Sequence, residues 1–118
     1  MSGLSTIIGN QGEDAAVEWL RNAGFYIVER NWRIGHYEID IIAQRWDTIH
    51  FIEVKTRKLG SWQSPYDSMT EHKLRSIRRG AMAYCAMHRI RHNIQFDLMA
   101  ITVDDHNHYS IEYSENII

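Results

Sequence analysis

A single cysteine and a single proline in 118 residues already narrow the field. Cys85 has no partner within the chain, which excludes an internal disulfide framework. One proline excludes Pro-rich linkers and collagen-like segments. No apolar run approaches the roughly 20 residues needed to span a bilayer. Residues 1–10 lack a basic stretch and a long apolar core, so they are not expected to be a secretory leader. Together these absences lead us to expect a reducing, cytoplasmic setting. Repeats and low-complexity tracts are missing too. There is no Gly-rich phosphate loop and no Ser-His-Asp or Cys-His motif, which removes the nucleotide-loop and serine- or cysteine-hydrolase classes.

What is present is the composition of one folded domain covering residues 1–118: 44% hydrophobic and 24% charged. The net charge of −2 hides an uneven distribution. Residues 53–92 carry nine Lys and Arg against three Asp and Glu, and the remainder is strongly acidic. A basic stretch of this kind is either a footprint for a polyanion or a solvated helix face.

Periodicity predicts the order αβββαββ, a mixed α/β sheet with helices. Residues 10–23 read as a helix with Ala16, Trp19, Leu20 and Ala23 on one stripe and Gly24 as its stop. Residues 25–30, 36–43 and 49–57 read as strands, the last two paired as an antiparallel hairpin. Residues 58–68 read as a loop. Ser68 and Glu71 form an S-x-x-E box before a second helix carrying Leu74, Ile77, Ala81, Tyr84 and Cys85 on one side. Residues 93–103 and 108–113 complete the strands.

The hairpin carries the chemistry. Its first strand contains Glu38-Ile39-Asp40-Ile41-Ile42 and its second Phe51-Ile52-Glu53-Val54-Lys55. Side chains alternate along a strand, so Glu38 and Asp40 are expected on one face and Ile39 and Ile41 on the other. Glu53 and Lys55 likewise share a face. If both apolar faces meet one core, Asp40, Glu53 and Lys55 gather on adjacent strands with Glu38 beside them. Close carboxylates repel unless a positive charge intervenes, and Mg²⁺ or Mn²⁺ serves well. A lysine on the same face can orient or deprotonate a water. The parts suit metal-assisted phosphodiester hydrolysis. They equally suit a polar surface hairpin with a weak Glu53–Lys55 ion pair. Glu13 borders the apolar stripe of the first helix. It can serve the helix dipole or face the sheet as a further acid.

Gly9-x-x-Gly12-Glu13-x-x-Ala16, Gly24-Phe25, Asn31, Glu38-Ile39-Asp40, Phe51-Ile52-Glu53-Val54-Lys55-Thr56-Arg57, Ser64-Pro65, Lys73, Arg79, Ala81 and Phe96-Asp97 follow one another along the chain. In that combination, over residues 9–103, the sequence resembles the YraN family of bacterial proteins. That family in turn resembles PD-(D/E)xK nucleases of the archaeal Holliday-junction resolvase type. The resemblance implies a restriction-endonuclease-like α/β fold, a mixed central sheet flanked by helices. It implies Asp40 and Glu53 as metal ligands for Mg²⁺ or Mn²⁺, with the Val54 carbonyl as a third. Lys55 would be the catalytic lysine, Glu13 the helix-borne acid and Lys73 a helper on the second helix. The family places Gly before its Glu-Ile-Asp. This chain has Tyr37, which bears on substrate fit more than on metal binding.

These residues lead us to expect a metal-dependent endonuclease acting on DNA rather than RNA, on branched or damaged structures. Lys73, Arg57, Arg75 and Arg79 are expected to contact the nucleic acid. Cutting with two-fold symmetry would need a homodimer. The other readings are a nucleic-acid-binding module of the same fold that works with a partner protein, and a protein-interaction role. Trp62 and Tyr66 either stack on bases or cover the core. His88 and His92, and His106 and His108, are expected to be exposed histidines without a metal. Cys85 is expected to be a small buried hydrophobe.

Overall fold

A computed structural model describes residues 2–118, with side-chain surroundings described from residue 11 onward. The elements are α1 (Ser2–Asn22), β1 (Tyr26–Ile34), β2 (Tyr37–Arg45), β3 (Thr48–Lys58), a short 3-10 turn (Pro65–Ser68), α2 (Glu71–His88), β4 (Asn93–Val103) and β5 (Tyr109–Ser114). The expected order αβββαββ holds. The five strands form one mixed sheet in the order β1-β2-β3-β4-β5. β3 and β4 are parallel, joined through α2, and the other pairs are antiparallel. This is the α/β architecture of the restriction-endonuclease-like fold.

The sheet is covered on both faces, which is why β3 and β4 read as near-continuous apolar runs. On one face Ala16, Val17 and Leu20 of α1 pack on Phe25, Ile41, Ala43, Ile52, Met99 and Ile101. On the other, Ile77, Ala81 and Tyr84 of α2 pack on Ile39, Ile42, Ile49 and Phe51. The expected single core is therefore corrected to two. Trp19 is also displaced from its expected core position: it is exposed and meets the edge of Tyr113.

The expected alternation along β2 fails at one point. Ile39 packs on the α2 side and Ile41 on the α1 side, so the strand changes face across Asp40. Opposite Asp40 in the β1–β2 register stands Asn31, with φ of 52°, a left-handed conformation that Asn tolerates better than most residues. β1 runs on through this residue to Ile34 instead of ending near residue 30.

The start of α2 also differs from expectation. Ser68 does not cap it. Thr70 does, its Oγ1 accepting from Lys73 N at 3.2 Å. A capping box does occur, one turn earlier, where Ser64 and Asp67 bracket the 3-10 turn begun by Pro65. Proline suits the first position of a helical turn because no N–H is needed there. α2 ends at His88, with Arg89 in the left-handed region, so His88 and His92 do not share a helical face. Cys85 is half-buried against the α2-side core, and burial raises its thiol. Trp62 is 90% exposed and does not cover the core. Among the described residues, no helix is long and apolar enough to cross a membrane.

Candidate active site

β2 and β3 pair as far as Ile41↔Ile52. The next facing residues are Asp40 and Glu53, so the two carboxyls stand where the ladder forks. Val54 N–H, just beyond the last pair, donates to Asp40 Oδ2 at 2.8 Å. Glu53 is 5% exposed. Lys73 Nζ from α2 lies 3.4 Å from Glu53 Oε1, and Lys55 Nζ lies 3.8 Å from the same oxygen. The hairpin and the second helix thus bring Asp40, Glu53, Lys55 and Lys73 together.

Glu13 joins from the α1 side. Its approach depends on Gly12: a Cβ there would lie 2.1 Å from Thr56 Oγ1, so only glycine lets α1 lie this close to β3. Glu13 Oε1 is buried and accepts no hydrogen bond among the described residues. Its nearest cation, Arg30, is 3.8 Å away and is held at 2.7 Å by Asp14.

All three carboxyls are pushed above their ordinary range, and burial is the largest cause for each. Glu53 reaches about 7, because the Asp40 charge adds to burial and outweighs Lys73 and Lys55. Asp40 is also raised, though the Val54 N–H it accepts favours its charged form, whereas the Asp40 charge favours the protonated form of Glu53. Asp40 in turn raises Glu13. The group is an oxygen-rich cluster whose cations, Lys55, Lys73 and Arg30, stand 3.4–3.8 Å away, and Glu13 Oε1 is buried without a hydrogen bond among the described residues. Carboxylate oxygens are the donors that hard divalent cations prefer.

The other expected residues lie around it. Glu38 is paired with Arg33 at 3.3 Å. Arg57 donates to Gln63 O at 2.8 Å and approaches Thr102, so it tethers the loop after β3. Tyr66 hydrogen-bonds Glu112 and Ser114, holding the same loop to β5. Arg75, Arg78 and Arg79 line the exposed side of α2.

A second cluster, on the α1 face, is not among the candidate site residues read from the sequence, although Asp97 belongs to its motif string. His50, Asp97 and Glu115 form the one trio of His, Cys, Asp or Glu among the described residues whose donor atoms all lie within 4.8 Å, a spacing that could hold a metal ion. His50 Nδ1 lies 2.6 Å from Asp97 Oδ2, and Tyr113 Oη donates to the same oxygen. Gln95 Nε2 and Asn116 N donate to Oδ1 at 2.9 and 3.1 Å. Burial pushes Asp97 up, but these hydrogen bonds outweigh it and hold the carboxyl below its usual range. The signal was available: His50 and Asp97 are polar residues inside otherwise apolar strands. A buried polar pair in such strands needs partners.

Fold and fork define a restriction-endonuclease-like α/β protein with an acidic, lysine-flanked cluster between its central strands. The model of the uncharacterised protein family UPF0102 matches residues 12–101. The UPF0102 protein of Chlorobium chlorochromatii is 41% identical over 96 residues, 81% of this chain and 74% of that protein. The UPF0102 protein of Alkaliphilus oremlandii is 38% identical over 112 residues, 92% of this chain and 95% of that one. The UPF0102 protein BF0634 of Bacteroides fragilis is 36% identical over 95 residues, 80% and 78% of the two chains. The chain belongs to the UPF0102 family.

Proposed function

We propose that this protein is a metal-dependent nuclease that hydrolyses phosphodiester bonds in DNA, with branched or damaged duplexes as the substrates to try first. The observation that carries the reading is the facing pair at the fork. Asp40 and Glu53 face each other just beyond the last paired residues, two lysines flank Glu53, and the buried Glu13 oxygen lies close by. Asp40 and Glu53 would hold Mg²⁺ or Mn²⁺, with the Val54 carbonyl and Glu13 completing the set. When bound, such a cation supplies Lewis acidity toward water and neutralises phosphate charge.

The chain's own residues supply the rest. Asp40 and Glu53 must be ionised to hold the cation, and because Glu53 is raised to about 7 the cation competes with its proton, so binding should tighten as pH rises through neutrality. Lys55, beside Glu53, would orient the attacking water through its ammonium group. Lys73, anchored on the same oxygen from α2, offers a positive charge to the phosphate.

The test is a labelled panel of four-way junction, flap, nicked duplex, single-stranded DNA and RNA, each with Mg²⁺ and with Mn²⁺. Glu53→Ala, purified in parallel, controls for contaminating nucleases. Cleavage by wild type and not by the variant is the expected result. The exposed arginines of α2 also support a second reading, a binding module of the same fold that does not cut. Retention of one substrate with no cleavage under either metal would favour it.

A further inference from the structure

The seam between α2 and the start of β2 holds a cavity of about 170 Å³ lined by His36, Tyr37, His72, Arg75, Ser76 and Arg79. It exists because α2 lies close on β2 at Gly80, where a Cβ would sit 3.3 Å from Tyr37 Cβ. Arg75 and Arg79 fall four apart on one helix face and are exposed. Among the described residues no carboxylate forms an ion pair with either. Glu71, one turn before Arg75, lines a neighbouring cavity that Arg75 also borders, but forms no ion pair with it. On the opposite wall the His36 and Tyr37 rings lie against each other, centroids 4.3 Å apart.

The cavity flanks the acidic cluster. Tyr37 is three residues from Asp40 on the same strand, roughly 10 Å at the rise of a β-strand. His72 is next to Lys73, whose ammonium reaches Glu53. Two unpaired guanidiniums opposite an aromatic ring match the two parts of a nucleotide. Guanidinium forks suit phosphate oxygens, and a ring face suits a base.

We propose that this cavity takes one phosphate of the DNA strand, with Arg75 and Arg79 as its cationic partners and the Tyr37 ring beneath the adjoining base. The assignment rests on the nuclease reading above and names where the strand lies beside the acidic cluster. Tyr37 is thereby a binding residue at this cavity, its ring lying on the wall opposite the two guanidiniums.

The experiment is fluorescence anisotropy with a labelled 20-mer, single-stranded and duplex, in EDTA over a series of KCl concentrations. Arg75→Ala and Arg79→Ala are each expected to weaken binding about 3- to 10-fold at low salt. Each should also lower the slope of log affinity against log salt by about one, the signature of one lost phosphate contact. Tyr37→Ala is expected to weaken binding at every salt with the slope unchanged, and Tyr37→Phe to restore it. Arg91→Ala, in the same basic segment but away from the cavity, should change neither.

Unaltered slopes in both Arg75 and Arg79 variants, with wild type binding, would overturn the site and leave the nuclease reading intact. An equal slope loss in Arg91→Ala would do the same, since it would mean diffuse attraction. Full competition by millimolar inorganic phosphate would reassign the cavity to a free anion. A wild type that retains neither strand at low salt would overturn both this site and the reading it rests on.

Discussion

β3 carries a buried polar group on each of its two faces, and the two groups are handled in opposite ways. His50, on the α1 face, meets Asp97, whose two oxygens receive His50, Tyr113, Gln95 and the Asn116 N–H. Glu53, three residues on and on the other face, meets a second carboxyl and two lysines whose ammonium groups stay 3.4 and 3.8 Å away. The first carboxyl is held below its ordinary pKa and the second is driven above it. A saturated buried carboxylate contributes to folding. An undersupplied one costs stability and is kept where a charge must be received. The trio around Asp97 has metal-like spacing, but its central oxygens are already taken, whereas beside the fork Glu13 Oε1 is buried with no hydrogen bond among the described residues.

The largest effect expected from breaking this contrast is on cleavage. Asp40→Ala or Glu53→Ala should lower turnover at least roughly 10²-fold, with the melting temperature unchanged or higher. Normal turnover in either variant, measured on the substrate that wild type cuts, would remove the fork from the mechanism. Asp97→Ala should behave the other way. It leaves four donors facing an empty space and should lose about 3–5 kcal/mol in urea unfolding. A loss under about 1 kcal/mol would mean the cluster is not the structural anchor its geometry implies.

The two carboxyls should also give stability slopes of opposite sign. Glu53 rises from 4.5 unfolded to about 7 folded. Between those values the unfolded chain releases its proton first, so the metal-free protein loses stability as pH climbs from about 4.5 to about 7, on the order of 3 kcal/mol in total. Glu53→Gln should reduce that slope, leaving the part that Asp40 and Glu13 contribute. Asp97 is lowered, so its contribution is present above its unfolded value of 3.8 and is lost as pH falls through its folded one. Urea midpoints at a series of pH values in EDTA measure both. A wild-type curve that rises between pH 4.5 and 7 would contradict the assignment of the proton to Glu53.

Cation binding sharpens the comparison further. Mn²⁺ at about 100 times its dissociation constant should add about 2.7 kcal/mol to wild type. That gain should vanish in Asp40→Asn and persist in Glu115→Gln. The reverse pattern would move the metal to the His50 trio. The smallest effect expected is that of Gly12→Ala. The added Cβ must push α1 off Thr56, at about 1–3 kcal/mol. Turnover should fall more than stability does, because Glu13 moves with the helix.

Much of this was legible beforehand because it lies in local pattern. Element order follows from periodicity. The α1 stop at Gly24 and the β2–β3 hairpin follow from turn chemistry. Asp40, Glu53 and Lys55 follow from position on adjacent strands. The change of face at Asp40 was not legible, since it depends on Asn31 in a neighbouring strand adopting φ of 52°. The cap on α2 was misplaced because Ser68 and Thr70 are both good caps, and Pro65 committed the preceding residues to their own turn.

The sequence by itself determined which residues are apolar and at what period, and hence two helices, five strands and a pair of facing acids. Only the tertiary structure decided which carboxyl would be satisfied and which starved. Hydrogen-bond partners for Asp97 arrive from β3, β4, β5 and the segment after it. Glu53 receives its lysines from its own strand and from α2. The charge a buried carboxyl can bear is set by what converges on it in space, and that sum has no local signature in the chain.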